Sequence, residues 1–219
     1  MGALLTRGWY PWGMAYPYSR AETVADGAVH LAGLAFAIPA SVLLLLRATE
    51  SAQGPVPTAL YVGCMLFAFL ASALYHLSPL DRLRPVLHRI DHAAIYFKIA
   101  GTYTPLVAVI GSGFAYGVLG VVWALAVLGA IAKLWFWEAN GRGSLTLYLG
   151  MGWLSVLLIW PMVTHLPGPS VALVVIGGLI YSLGTIVYSQ KALRFQNAIW
   201  HLFVLAASAC FVFAVGFSL

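Results

Sequence analysis

Long hydrophobic stretches without charged residues divide the chain into segments of membrane-spanning length. Five such runs, at 27–46, 51–80, 99–132, 143–190 and 195–219, lack Asp, Glu, Lys and Arg. A helix needs about 20 residues to cross the hydrocarbon core, and the turn signals Gly111-Ser112-Gly113 and Pro167-Gly168-Pro169 break the two longest runs. The pattern predicts an all-α membrane protein, a seven-transmembrane helix bundle forming a single domain over 1–219. Its helices are expected near 26–47, 57–78, 89–110, 114–136, 144–165, 170–189 and 196–218.

The composition supports this prediction and excludes several classes of protein. Hydrophobic residues make up 62% of the 219 residues and charged residues only 8%, whereas a soluble domain carries about 25% charged residues. A soluble enzyme, a disordered chain and a disulfide scaffold are therefore excluded. The net charge of +5 does not indicate a nucleic-acid partner, because the basic residues lie between the apolar runs. Membrane lipids are the expected partners.

The distribution of basic residues predicts the orientation. Only Arg47 lies in the first, third and fifth loops or at the carboxyl end, and Lys98 lies within a predicted helix. The amino-terminal tail and the second, fourth and sixth loops hold the other nine of the eleven Lys and Arg residues: Arg7, Arg20, Arg82, Arg84, Arg89, Lys133, Arg142, Lys191 and Arg194. Because cytoplasmic loops are enriched in Lys and Arg, we expect a cytoplasmic amino terminus and an external carboxyl terminus.

Polar and ionisable residues inside the predicted spans are candidates for function, because they are costly in lipid. They occur in the first, second, third and seventh helices: His30, Ser72, His76, Asp91, His92, Lys98, Asn197 and His201. Given the predicted orientation, most of these residues lie in the cytoplasmic half of the membrane. We therefore expect His76, Asp91 and His201 to line one cavity.

Helical spacing makes a metal site one interpretation of these residues. Ser72 and His76 are four residues apart, as are Asn197 and His201, so each pair shares a face of its helix. Histidines from two helices and a carboxylate from a third suit a tetrahedral metal such as zinc, which takes three protein ligands and water at a catalytic site. Two simpler interpretations stay open. Each histidine can hydrogen-bond a neighbouring backbone carbonyl, and Asp91 can be a helix-start residue favoured by the helix dipole.

Three ordered motifs carry a family resemblance over essentially the whole chain. They are Ser72-Ala-Leu-Tyr-His76, Arg89-Ile-Asp91-His92 followed by Ala100-Gly-Thr-Tyr-Thr-Pro105, and Ala198-Ile-Trp-His201-Leu-Phe-Val. Together with the seven spans, they resemble the haemolysin III family, the bacterial branch of the progestin and adipoQ receptor superfamily. The resemblance implies an integral protein of the bacterial inner membrane.

The resemblance also implies a zinc site, from which this sequence departs at one position. The metal ligands implied are His76, from the S-x-x-x-H motif, and His201, the second histidine of an H-x-x-x-H motif, with Asp91 bound through water. The first histidine of the latter motif falls on Asn197. Because an amide oxygen is a poor zinc ligand, we expect weaker zinc binding, or direct ligation by Asp91.

Three functions are compatible with these features. The first is a zinc-dependent hydrolase of a lipid amide or ester, similar to the alkaline ceramidases. In this hypothesis Asp91 orients water or acts as general base, and Ser72 donates to the developing oxyanion. The second is a pore-forming cytolysin, which the family name implies but the apolar spans do not favour. The third is a non-enzymatic lipid-sensing or membrane-homeostasis protein.

Overall fold

The described part of the chain is a bundle of long apolar helices, and seven helical segments within it are long enough to span a membrane. A computed structural model describes residues 19–135, 141–190 and 192–219. The helices are α1 (Arg20–Ala48), α2 (Val56–Leu77), α3 (Arg84–Ile110), α4 (Gly113–Trp135), α5 (Gly141–Trp153), α6 (Ile159–His165), α7 (Gly168–Ser189) and α8 (Gln196–Ser218). The predicted all-α, seven-span architecture is confirmed. The orientation stays a prediction, and Arg7 and Lys191, which contribute to it, lie outside the described residues.

The first helix begins six residues earlier than predicted. Ser19 caps α1, since its hydroxyl accepts the backbone N–H of Glu22 at 3.3 Å while its own backbone N–H donates to Glu22 Oε2 at 2.9 Å. This reciprocal pair stabilises a helix start. The prediction placed the start of the helix at Asp26 because the charge-free run begins at residue 27. Charged residues are accommodated, however, where a helix extends beyond the hydrocarbon core.

The other helix boundaries follow turn and proline signals. α3 ends at Gly111, whose φ of +67° is a left-handed conformation that favours glycine. The predicted breaks at Gly111-Ser112-Gly113 and at Pro167-Gly168-Pro169 both separate helices. α3 begins at Arg84 rather than near residue 89 because Pro85 occupies its first turn, where a missing N–H costs nothing.

The fifth span is not the single α-helix expected near 144–165. A 3₁₀ segment, Leu154–Leu158, separates α5 from α6. Pro161 follows this segment and cannot donate a hydrogen bond to the carbonyl of Leu157, four residues earlier. Its ring also clashes with that carbonyl in a regular α-helix, so the chain tightens into 3₁₀ geometry there.

The central helix of the bundle is α3. In its most apolar stretch 61% of residues are buried, against 17–33% in the other spans. At one end of the bundle α1 begins beside the start of α8, because Glu22 Oε1 accepts the backbone N–H of Phe195 at 3.1 Å. The start of α3 lies beside the end of α4, where Arg89 donates to the Leu134 carbonyl. We call this the proximal end of the bundle.

Close packing between α3 and α4 depends on Gly129. A Cβ atom there would lie 2.6–2.9 Å from three ring atoms of Tyr96, a buried side chain that also packs on Tyr148. We expect Gly129→Ala to lower stability by about 1–3 kcal/mol, as overpacking does. Gly120→Ala, on the same helix with nothing within 4 Å of its Cβ, should leave stability unchanged or raise it slightly. Thermal unfolding in detergent measures both, and equal melting temperatures would contradict this packing account.

Candidate metal centre

The carboxylate of Asp26, in α1, lies at the centre of a cluster of polar side chains that includes His30, His76 and His201. Asp26 is only 2% exposed, and it shares a face of α1 with His30, four residues later. His30 Nδ1 lies 2.8 Å from the Asp26 backbone oxygen. Because a carbonyl oxygen can only accept, this nitrogen donates, and in a neutral ring Nε2 is then an acceptor 3.2 Å from the Ser72 hydroxyl. Hydrogen bonds therefore hold His30 in place beside the carboxylate.

Two further histidines contact the two oxygens of this carboxylate. His201 Nδ1 lies 2.6 Å from Asp26 Oδ1, and His76 Nδ1 lies 3.2 Å from Oδ2. His76 is the second-last residue of α2, and His201 is five residues into α8. The two rings are 4.6 Å apart and nearly perpendicular. Three helices thus bring one carboxylate and two imidazoles together at the proximal end.

The three side chains are arranged so that they could hold a metal ion. One possible ligand atom from each of Asp26, His76 and His201 lies within 4.8 Å of the others. Each oxygen of the buried Asp26 carboxylate lies beside an imidazole nitrogen, Oδ1 at 2.6 Å from His201 Nδ1 and Oδ2 at 3.2 Å from His76 Nδ1. Two imidazoles and one carboxylate form a known ligand set of catalytic zinc, which leaves a fourth position for water or substrate. The residues present therefore fit a zinc ion.

The other candidates from the sequence analysis, Ser72, Asp91 and Asn197, also lie in this region but do not belong to the group of three. Ser72 Oγ lies 3.4 Å from His201 Nε2, and Ser72 also interacts with the Asp91 side chain. Asp91 is buried, and its Oδ2 lies 3.5 Å from His92 Nδ1. Among the His, Cys, Asp and Glu residues described, Asp91 lies outside the group of three. Asn197 lies one turn before His201 and lines the same cavity.

Asp26 is the residue that the sequence analysis missed. The predicted first helix began at Asp26 itself, and the candidates were drawn from inside the spans, so an acidic residue at a span end was not considered. The spacing of Asp26 and His30, four residues apart on one face, was the available signal. Only the packing of α1 against α8 brings Asp26 to His201.

Several of these polar side chains, though not Asp26, line one end of a cavity of about 540 Å³ inside the bundle. His30, Ser72, His76, Asp91 and His201 line this end, and Leu106, Ile110, Met162 and Val174 line its apolar part. The predicted cavity shared by His76, Asp91 and His201 is therefore present. Its volume lies in the usual range for small-molecule sites, about 300–1,000 Å³.

Comparison with known proteins gives the family. Residues 18–212 match the family described as Haemolysin-III related. The chain is 38% identical over 199 residues to the Hemolysin-3 homolog of Bacillus subtilis (strain 168), covering 90% of this chain and 93% of that protein. It is 35% identical over 199 residues to Hemolysin-3 of Bacillus cereus, covering 90% and 91%. A more distant relative, the human monocyte to macrophage differentiation factor, is 29% identical over 179 residues, covering 78% and 74%. The chain belongs to the Haemolysin-III related family of integral membrane proteins.

Proposed function

We propose that this protein is a zinc-dependent hydrolase that cleaves an amide or ester bond of a membrane lipid. The observation that carries the proposal is the group Asp26, His76 and His201, in which the two histidines line the polar end of a mainly apolar cavity and Asp26 contacts both of them. A lipid whose acyl chain occupies the apolar part would present its carbonyl to the polar end. A zinc ion held by the three side chains would supply Lewis acidity, which polarises a carbonyl and activates water near neutral pH.

Asp91 and Ser72 are the proposed catalytic residues. Asp91 is a buried carboxylate in the same cavity and does not belong to the metal-ligand group. It can orient a water molecule and accept its proton. The Ser72 hydroxyl has a single proton, which His30 Nε2 accepts in the structure. The hydroxyl can rotate to donate this proton instead to the oxygen that becomes negative as the carbonyl is attacked.

Fatty-acid release by the purified protein tests this proposal. The protein, reconstituted in vesicles, is incubated with a ceramide and with a monoacylglycerol, with and without a chelator and with zinc restored afterwards. We expect zinc-dependent release, and background release from His76→Ala and His201→Ala. His165→Ala is the matched control, because His165 is exposed and outside the cavity lining. Release that persists in the chelator, or in both cavity variants, would refute a zinc hydrolase.

A dye enclosed in the same vesicles separates hydrolysis from the two other functions. Leakage without fatty-acid release would favour a pore, as the name Hemolysin-3 suggests for the Bacillus cereus relative. Lipid binding with neither leakage nor release would favour a lipid-sensing role. We expect release without leakage, because the described polar residues lining the cavity concentrate at its proximal end.

Position 197 offers a gain-of-function test of the metal site. Asn197 and His201 are one helical turn apart, a spacing at which two histidines can bind one ion. We expect Asn197→His to raise zinc affinity by supplying a further imidazole, whereas Asn197→Ala should change it little. Competition with a coloured chelator measures both. Equal affinities in wild type and Asn197→His would show that a side chain at position 197 does not reach the ion.

The orientation and location of the site are also proposals. The nine-to-one division of Lys and Arg between the two sides of the membrane supports a cytoplasmic amino terminus. This orientation would put Asp26, His76 and His201 in the cytoplasmic half of the membrane. The Bacillus relatives support a bacterial cell membrane, the inner one where there are two.

A further inference from the structure

A buried lysine without a hydrogen-bonding partner lies near the middle of the central helix. Lys98 is 14 residues after the start of α3 at Arg84, which is about 21 Å along a helix about 40 Å long. The side chain is 8% exposed, and its ammonium group makes no hydrogen bond to any described residue. An ammonium group carries three donors, and leaving them unsatisfied within a membrane is costly.

The surroundings of Lys98 stabilise a positive charge without neutralising it. Its Nζ lies 4.5 Å from the centre of the Phe69 ring and 5.4 Å from that of the Tyr181 ring. Aromatic faces attract a cation, but they provide no carboxylate or carbonyl oxygen for its N–H groups. Among the described residues, Lys98 forms no ion pair either. No side chain in the described part of the chain thus supplies a negative charge to this ammonium group.

Lys98 lines the same cavity as His76 and His201 but lies deeper in the bundle. It follows Asp91 by seven residues on one face of α3, so the two are about 10 Å apart along the helix. Leu106 and Ile110 continue the cavity wall beyond Lys98, together with Met162 and Val174. A ligand in this cavity would thus contact the Lys98 ammonium group and the apolar wall next to it.

We propose that Lys98 is an anion-binding subsite for an amphiphile. The carboxylate or phosphate of a single-chain lipid accepts hydrogen bonds from Nζ, and its acyl chain lies along the apolar wall. An amphiphile fits better than a free anion, because the chain compensates for the desolvation of the charged group. This binding goes beyond the proposed hydrolysis and does not require it.

Binding measurements on zinc-free protein test the subsite separately from hydrolysis. The probes, added to protein in a chelator and a neutral detergent, are palmitate, hexadecyl phosphate, hexadecanol and inorganic phosphate. We expect wild type to bind both anionic amphiphiles about 10- to 100-fold more tightly than the alcohol, the range for hydrogen bonds to charged groups. Inorganic phosphate should bind far more weakly. The comparison of acid with alcohol needs no variant, so a misfolded variant cannot obscure the result.

Variants then assign the preference to Lys98. Lys98→Met should bind the alcohol as wild type does and lose the preference for anions, and Lys98→Arg should keep part of it. Lys133→Met is the matched control, because Lys133 is also buried but lies outside the cavity lining. Equal binding of palmitate and hexadecanol by wild type, or an unchanged anion preference in Lys98→Met, would overturn the proposal. Inorganic phosphate binding as tightly as the amphiphiles would overturn the assignment to a lipid.

Discussion

Asp26→Asn is expected to lower zinc affinity by more than about 100-fold. Loss of a residue that only supports a metal ligand typically costs 10- to 100-fold, and Asp26 is proposed as a ligand itself. Its two oxygens face the Nδ1 atoms of His76 and His201 at 3.2 and 2.6 Å. Asparagine keeps the shape of the side chain but removes the negative charge and leaves only a weakly ligating amide oxygen. Competition with a chelator of known affinity measures the change.

A distant carboxylate provides the control for Asp26→Asn. Glu50 follows the end of α1 at the other end of the bundle and is exposed, so Glu50→Gln removes the same charge without affecting the cluster. Its zinc affinity should equal that of wild type. Wild-type affinity in Asp26→Asn, with a loss in Asp91→Asn, would assign the carboxylate ligand to Asp91 instead.

Asp91→Asn is expected to reduce lipid hydrolysis by about 10²- to 10⁴-fold, the range for loss of a general base, while zinc content stays within about twofold. The amide is close in shape to the carboxylate but cannot accept a proton from water. Asp91 lies outside the group of possible metal ligands, so zinc should remain bound. Fatty-acid release and zinc content are measured on the same preparation. Joint loss of zinc and activity would identify Asp91 as a ligand, and unchanged activity would remove it from the mechanism.

The spans could be predicted from the sequence because the membrane imposes a simple rule on composition. Charged residues are excluded from the hydrocarbon core, so the long stretches without them mark the helices. Within one such stretch, the turn-forming Gly111 marks where a helix ends. The rule fails at the ends, where Arg20 and Glu22 belong to α1. The rule also misses the 3₁₀ segment within the fifth span, because Pro161 interrupts the helical hydrogen bonds without changing the hydrophobicity of the stretch.

The site could be predicted only in part, because depth is readable from sequence whereas the angular position of a helix is not. His76 and His201 occupy similar depths, and they do lie side by side. Asp26 and Asp91 are also at similar depths, but the rotation of α1 and α3 decides which carboxylate meets the imidazoles. That rotation depends on contacts such as Glu22 with Phe195, which are 173 residues apart in the chain. No local pattern encodes such a contact.

The expectation that Asn197 weakens zinc binding stays a prediction, and it did not take Asp26 into account. The four-residue spacing of Asn197 and His201 concerns only possible ligands within α8 itself. The carboxylate of α1, with Oδ1 at 2.6 Å from His201 Nδ1, offers a charged third ligand from another helix. We therefore propose that Asp26 takes the role left open by the amide at position 197.

X-ray absorption at the zinc edge tests the central claim most directly. The sample is the purified full chain in detergent, loaded with one equivalent of zinc, beside Asp26→Asn and the double variant His76→Ala/His201→Ala. We predict a wild-type spectrum with two imidazole nitrogens at about 2.0–2.1 Å and oxygen ligands at about 2.0–2.2 Å. The imidazole scattering should vanish in the double variant. A wild-type spectrum without imidazole scattering, or one that the double variant leaves unchanged, would contradict a metal centre at Asp26, His76 and His201.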